Sequence, residues 1–173
     1  AIAVSYFIGI SPAIIKKSLK NFKGVERRFN KIFTYNGADI YDDYAHHPTE
    51  IREVINGVCN SYKKKKIICI FQPHRISRLN DLKNAFCSSF NKVNSVILCP
   101  VYKAGENLKL NLDYHKFAEQ IAKKSHVQVF LVNNQIELAK FLKQVLKEEN
   151  IVVGMGAGSI SNWIKELPNL MRK

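Results

Sequence analysis

Cysteine is scarce in this 173-residue chain, and none of the four (Cys59, Cys69, Cys87, Cys99) shows C-x-x-C spacing. Each lies in an apolar stretch, so the expectation is buried free thiols in a reducing compartment, not a disulfide framework or a zinc site. No apolar run approaches the roughly 20 residues needed to cross a bilayer, which removes helical membrane spans from the readings. No G-x-x-x-x-G-K-[ST] occurs, so the sequence carries no phosphate loop of its own. Internal repeats and low-complexity tracts are missing as well. Ala1 to Ile10 lacks the basic flank and cleavage-like tail of a signal peptide. It reads as the middle of a helix, and without an initiator Met the expectation is a piece of a longer protein.

Acid is the other shortage: 14 Asp and Glu stand against 27 Lys and Arg, a formal net charge of +13. That balance raises a nucleic-acid-binding module as one reading. Against it, Lys is strewn over helix faces, with a single run at Lys63-Lys64-Lys65-Lys66. Only six basic residues are Arg, and four of them form two tight pairs, Arg27-Arg28 and Arg75/Arg78. Arg is the side chain suited to planar, bidentate recognition of carboxylate or phosphate, so its concentration marks a site for a small anion. With 46% hydrophobic and 24% charged residues, the composition is that of one soluble globular domain with a substantial core.

The pattern along the chain is regular. Ser11-Pro12 opens a helix through Lys20 as N-cap and first helical residue. Gly24 to Phe29 reads as a linker into a hairpin, in which Lys31 to Tyr35 and Ala38 to Tyr41 flank Asn36-Gly37. Helices are then predicted over about Pro48–Tyr62, Leu79–Phe90, Leu112–Lys124, Gln135–Lys147 and Ser159–Leu167. Strands are predicted at Ile67–Phe71, Ser95–Cys99, Val127–Val132 and Ile151–Gly154. Alternation of helices with Ile/Val-rich strands predicts an α/β, Rossmann-like fold: a mostly parallel sheet with helices on both faces, preceded by a β-hairpin.

Two polar segments leave the ends of predicted strands, Asp42-Asp43-Tyr44-Ala45-His46-His47-Pro48-Thr49-Glu50 and Phe71-Gln72-Pro73-His74-Arg75-Ile76-Ser77-Arg78. In an open α/β sheet such loops line the ligand crevice. Asp42-Asp43 could be neighbours of a helix cap or acceptors for a ribose diol. His46-His47 could ligate a metal, although adjacent residues on one loop seldom converge on one ion and no Cys or carboxylate cluster completes a site. His115 and His126 stand alone and read as surface or structural. Gly154-Met155-Gly156-Ala157-Gly158-Ser159 follows the last strand; Ser159 replaces the third Gly or Ala of the dinucleotide fingerprint, so a tight turn at the cleft rim is the favoured reading.

Taken in order with Gly24-Val25-Glu26-Arg27-Arg28-Phe29 and Val101-Tyr102-Lys103-Ala104-Gly105-Glu106, these segments resemble the C-terminal domain of the Mur ligase family of peptidoglycan synthesis, over nearly the whole chain. Phe71 to Arg75 resembles the alanine-adding branch, with the muropeptide-recycling branch as the alternative. The resemblance implies that residues 1–23 end a central ATPase domain and its linker, and that residues 24–173 form the amino-acid-binding domain. It implies a cytoplasmic ATP-dependent ligase that adds L-alanine to UDP-N-acetylmuramate through an acyl phosphate, with Mg2+, and with the missing N-terminal and central domains as partners instead of nucleic acid or membrane. It further implies that Arg28 meets the γ-phosphate of ATP after domain closure and that Asp43 holds the ribose. His46, Arg75 and Arg78, helped by Tyr44, would bind L-alanine. This segment alone would then be inactive, and no metal ligand is assigned within it.

Overall fold

The structure is a computed structural model that describes residues 1–22, 24–108 and 113–172. Two N-terminal helices, α1 (Ile2–Phe7) and α2 (Pro12–Asn21), lead into a hairpin of β1 (Asn30–Tyr35) and β2 (Ala38–Asp43). Ser11 Oγ caps α2 by accepting from the Ile14 N–H. Asn36 and Gly37, with φ of 48° and 78°, turn the hairpin; that conformation is why an Asn-Gly pair was its signal. The chain continues through α3 (Pro48–Ser61), β3 (Lys66–Phe71), α4 (Ile76–Cys87), β4 (Ser95–Leu98), α5 (Tyr114–Ser125), β5 (Gln128–Leu131), α6 (Gln135–Val145), β6 (Asn150–Met155) and α7 (Ile160–Arg172).

The six strands lie in the order β1-β2-β6-β3-β4-β5. Only β1 is antiparallel to its neighbour; the pairs β2·β6, β3·β6, β3·β4 and β4·β5 are parallel. The hairpin therefore does not merely precede the sheet, because its second strand is part of the parallel array. Alternate residues along the strands feed two separate apolar layers. Cys69, Phe71, Leu98 and Val153 pack with Ile51 and Ile55 of α3, Leu79 and Phe86 of α4, and Phe117 and Ile121 of α5. Ile68, Ile70, Ile97 and Val152 face Leu138 and Leu142 of α6 and Ile160, Ile164 and Leu167 of α7. Both faces of the central strands β2, β6, β3 and β4 are thus removed from water, which explains their near-continuous apolar runs, whereas the edge strands β1 and β5 stay partly exposed.

Three expectations need correction. The fourth helix starts at Ile76, not Leu79, and ends at Cys87, not Phe90. The last helix runs past Leu167 through Pro168 to Arg172. Pro costs a helix one N–H bond and a clash with the preceding turn, but Ile164, Leu167 and Met171 are all buried on one stripe, and that burial carries the helix on. Cys69, Cys87 and Cys99 are buried free thiols, whereas Cys59 is only half-buried and its thiol donates to the Lys92 carbonyl at 3.6 Å. The fifth helix begins at Tyr114, capped by Asp113, which accepts from the N–H groups of His115 and Lys116. The expected start at Leu112 lies outside the described residues.

Candidate functional site

Because β2, β3, β4 and β6 are parallel, their carboxyl ends open on one edge of the sheet, and four loops leave there together. The first follows β2. Asp43 is 3% exposed, and its two carboxylate oxygens accept from the Phe29 and Ala45 N–H groups, each at 2.8 Å. The Tyr44 N–H donates to the Arg27 carbonyl at 2.8 Å. These bonds draw the linker Gly24–Phe29 over the end of β2. Phe29 stacks on Tyr41 at 4.2 Å between ring centroids, and the Arg27 and Arg28 guanidiniums lie 4.6 and 5.7 Å from the centre of the Tyr44 ring.

Arg27 turns inward. Its Nη2 donates to the Gly156 carbonyl at 2.7 Å, and its Nε lies 3.9 Å from Asp42 Oδ2. Asp42 is 1% exposed and also accepts from Ser161 Oγ at 2.5 Å. Burial pushes the Asp42 carboxyl above the usual carboxylate range, although Ser161, Arg27 and Lys165 pull it down. Arg28 stays exposed. Of the two arginines, one therefore holds the loops and the other is open to a ligand.

His46 and His47 diverge. His47 is the N-cap of α3, its Nδ1 accepting from the Thr49 N–H at 3.3 Å. Glu50 accepts from the N–H groups of both His46 and His47, completing a capping box. Burial raises the Glu50 carboxyl, but these N–H bonds and the His46 and Arg28 charges outweigh it and hold the carboxyl below its ordinary value. The His46 ring stands edge to face with Tyr44 at 5.1 Å and with His74 at 5.6 Å.

The second and third loops are stitched together. The Arg75 N–H donates to the Tyr102 carbonyl and the Tyr102 N–H to the Pro73 carbonyl, both at 2.8 Å, and the His74 ring stacks on Tyr102. Arg75, exposed, is the N-cap of α4 with φ of 71° and no capping side chain of its own. Glu106 caps instead, from the loop after β4. Its Oε2 accepts from the Ser77 N–H at 3.1 Å and its Oε1 from Ser77 Oγ at 2.5 Å, which starts the helix three residues earlier than the apolar pattern indicated. Arg78 Nη1 lies 3.3 Å from His74 Nδ1. Burial, followed by the charges of His46, Arg78 and Arg75, holds His74 below the ordinary imidazole value against the pull of Glu106.

The fourth loop is the glycine turn. Gln72 Oε1 accepts from the Ile160 N–H at 3.0 Å and its Nε2 donates to Ser159 Oγ at 3.1 Å. A Cβ on Gly158 would stand 2.4 Å from Tyr102 Cγ. The turn at the cleft rim is as the sequence reading favoured: glycine is there for close packing against the neighbouring loops.

Of the residues singled out by sequence, Tyr44, His46 and Arg78 are thus brought together through His74, with Arg28 beside Tyr44 and Arg75 at the head of α4. Asp43 is turned inward. Its buried carboxylate, with one N–H on each oxygen, fits a clamp on the linker better than an open ribose acceptor. Arg27, Gln72, His74, Tyr102 and Glu106 were not assigned roles. The one signal available was the spacing of His74 and Arg78, four apart at a helix start, where side chains meet. Among the described residues no group of three or more His, Cys, Asp or Glu side chains could hold a metal ion.

An open parallel sheet with Arg- and His-bearing loops at the carboxyl ends of its strands defines an α/β ligand-binding domain of the doubly wound class. Within that class the chain belongs to the Mur ligase family: residues 27–158 match the domain described as "Mur ligase, glutamate ligase domain". The chain is similar to the UDP-N-acetylmuramate–L-alanine ligase of Pelagibacter ubique, 61% identical over 99% of this chain and 37% of the relative. It is 39% identical to that of Mesorhizobium japonicum over 97% of this chain and 36% of the relative. The crystal structure of UDP-N-acetylmuramate–alanine ligase from Thermotoga maritima superposes with a TM-score of 0.79 at 25% identity, covering 99% of this chain and 36% of that one. A murein peptide ligase from Psychrobacter arcticus shares the fold, with a TM-score of 0.69 at 20% identity over 98% of this chain and 35% of that one. The chain spans little more than a third of the length of the relatives it matches.

Proposed function

We propose that this chain is the C-terminal, amino-acid-binding part of a UDP-N-acetylmuramate–L-alanine ligase, working with N-terminal and central domains that bind UDP-N-acetylmuramate and ATP. The observation that carries the reading is the continuous run of side-chain contacts at the strand ends, from Arg28 and Tyr44 through His46 and His74 to Arg78. That run supports assigning a phosphoryl-binding arginine and a carboxylate-binding arginine to one group of strand-end loops. The alanine-adding reading is favoured over the peptide-recycling one by the 61% and 39% identities to alanine ligases.

In this reading ATP phosphorylates the muramoyl carboxylate, and the amine of L-alanine displaces the phosphate. Arg75 and Arg78 hold the alanine carboxylate, Tyr44 and His46 shape its pocket, and Arg28 neutralises charge on the transferring phosphoryl group once the domains close. Asp43 contributes by tethering Phe29 and so aiming Arg28, more than by meeting the ribose. Residues 1–23 would belong to the end of the central domain, a reading that the apolar surface exposed by Ile2, Val4, Tyr6, Phe7 and Ile14 supports. The full protein would use ATP with Mg2+ in the cytoplasm.

The test is amino-acid kinetics in the full-length protein. Arg75→Lys or Arg78→Lys is expected to raise the KM for L-alanine by the worth of a charge-assisted bond, about 1.5–3 kcal/mol or on the order of 10- to 150-fold. The 173-residue segment alone should release no phosphate from ATP with both other substrates present. Wild-type alanine KM and kcat in both variants would show that the carboxylate binds elsewhere.

A further inference from the structure

His46 and His74 are neighbours, yet their hydrogen bonds sort them into opposite roles. His46 Nδ1 lies 2.9 Å from the Tyr44 carbonyl oxygen and 3.3 Å from Glu50 Oε2. Both partners can only accept, so Nδ1 carries the hydrogen and the neutral ring keeps its lone pair on Nε2. His74 is the reverse. Arg78 Nη1, which can only donate, stands 3.3 Å from His74 Nδ1; the neutral ring then carries its hydrogen on Nε2. One histidine of the pair therefore offers a free lone pair and the other offers a donor.

An amino acid reaches such a crevice mostly as its ammonium form, which has no lone pair with which to attack a carbonyl. A side chain that removes one proton, held in place by a third group, is what nucleophile activation requires. The geometry points to His46 as the general base that deprotonates the incoming amino acid, with the Tyr44 carbonyl fixing its tautomer and Glu50, 3.3 Å from Nδ1, as a positioning residue. This role rests on the ligase reading above. One proton passes from the ammonium to His46 Nε2, and the lone pair left on nitrogen forms the amide bond to the acyl carbon. The carbon–oxygen bond to phosphate breaks with its electron pair on the leaving oxygen. The phosphate departs as HPO4 2−, taking the second proton from nitrogen, and His46 returns its proton to solvent.

The charges around His46 are mixed. Glu50 faces it from α3, Tyr44 and His47 flank it on its own loop, and His74 faces it from the loop after β3. Arg78 and Arg75 stand behind His74, and Arg28 acts on Glu50. Glu50 is the anion beside the ring, 3.3 Å from Nδ1, and burial with the surrounding positive charges holds His74 below the ordinary imidazole value.

The experiment uses the full-length protein and separates the two chemical steps. His46→Gln is expected to form acyl phosphate from ATP and UDP-N-acetylmuramate, without amino acid, at close to the parental rate. Alanine ligation should fall by roughly 10²- to 10⁴-fold, the range for a lost general base. Hydroxylamine, largely unprotonated at neutral pH, needs no base and should still trap the acyl phosphate. Glu50→Gln keeps a helix-capping amide and should lower kcat/KM for alanine more than acyl-phosphate formation, because the ring loses the carboxylate beside Nδ1. The role is overturned if His46→Gln keeps the parental alanine rate and pH profile, or if it loses acyl phosphate and hydroxylamine trapping along with ligation. It is equally overturned if Glu50→Gln leaves kcat/KM for alanine unchanged or lowers both steps alike. If the unsubstituted protein shows no alanine-dependent turnover, the ligase reading falls and takes this role with it; the other outcomes test His46 alone.

Discussion

Replacing Arg27 by methionine asks whether the strand-end loops are held by charge or by packing, because Met keeps an apolar stem and removes the guanidinium. Three contacts go: the 2.7 Å bond to the Gly156 carbonyl, the face of Tyr44, and the positive charge 3.9 Å from Asp42 Oδ2. A hydrogen bond from a charged donor is worth about 1.5–3 kcal/mol. Removing one partner of a fully buried pair costs about 3–5 kcal/mol, but here that is an upper bound. The Arg27 side chain is 23% exposed and the pair is not hydrogen-bonded, and Asp42 can still take a proton. The expected loss is therefore about 2–4 kcal/mol at pH 7, read by urea unfolding of this chain through Trp163 fluorescence. The pH dependence follows from Asp42. Its folded pKa is raised, so the native state binds more protons than the unfolded one in the window just above the ordinary carboxylate value. Stability then falls as pH rises through the folded pKa. Without Arg27 the folded pKa climbs further, and the variant should lose more at pH 7 than at pH 5. Adding Asp42→Asn removes the buried charge while keeping an acceptor for Ser161, and should recover part of the loss. Equal midpoints for parent and Arg27→Met, or a second loss from Asp42→Asn that simply adds to the first, would refute the coupling.

Arg28→Ala, which removes an exposed side chain, should leave stability unchanged; in the full-length protein it should lower kcat and acyl-phosphate formation with little change in alanine KM, and an effect confined to KM would refute the assignment. Arg75→Gly should raise the stability of the chain by about 1 kcal/mol, since φ of 71° at a non-glycine residue is strained, while abolishing tight alanine binding; a loss of stability would show that the strain is absent. Gly158→Ala drives a Cβ into Tyr102 and Gln72 Oε1 and should cost about 1–3 kcal/mol in thermal or urea unfolding, with neutral behaviour refuting the close packing. His74 should titrate by NMR below the ordinary imidazole value of about 6.5. Because its folded pKa is depressed, the stability it contributes is present above that value and lost as pH falls through the folded pKa; an inflection at or above 6.5 would contradict the network.

The sheet was legible because its strands are uniform. Ile67 to Phe71 is apolar at every position, as only a strand covered on both faces can be, and the covering helices repeat apolar residues at helical spacing. What was not legible depended on contacts distant in sequence. The start of α4 is set by Glu106, 29 residues from Ser77, and no local pattern announces a cap supplied from another loop. The continuation of α7 is set by burial of Met171, which outweighs the local signal of Pro168. At the site, the loops could be read but not the division of labour within them. Arg27-Arg28 declares a basic pair, but which member turns inward is set by a local turn, with Arg27 at φ of 57°, that the pair itself does not announce. His46-His47 divides in the same way, His47 going to a backbone N–H, whereas Asp42 and Asp43 are both buried and the Asp43 carboxylate, expected at a ribose, meets the N–H groups of Phe29 and Ala45.

Strain is distributed in the same way. Of the six non-glycine residues with positive φ among the described residues, Arg27, Phe29, Arg75 and Ala104 lie in the linker and strand-end loops. Asn36 sits in the hairpin turn and His126 ends α5, where such angles are ordinary. Each strained backbone costs on the order of 1–3 kcal/mol unless its surroundings over-determine it. For three of them they do: Asp43 holds the Phe29 N–H, Tyr44 holds the Arg27 carbonyl, and Tyr102 holds the Arg75 N–H, while Ala104 lies in a turn closed by the Glu106 N–H on the Lys103 carbonyl. The two apolar layers against the sheet supply the stability, and the strand-end loops consume some of it to present Arg28, His46, Arg75 and Arg78 from three segments: the linker, the loop after β2 and the start of α4. A variant that relaxes Arg75 should therefore make the domain more stable and a poorer binder at once, a pairing that a loop shaped only by folding would not produce.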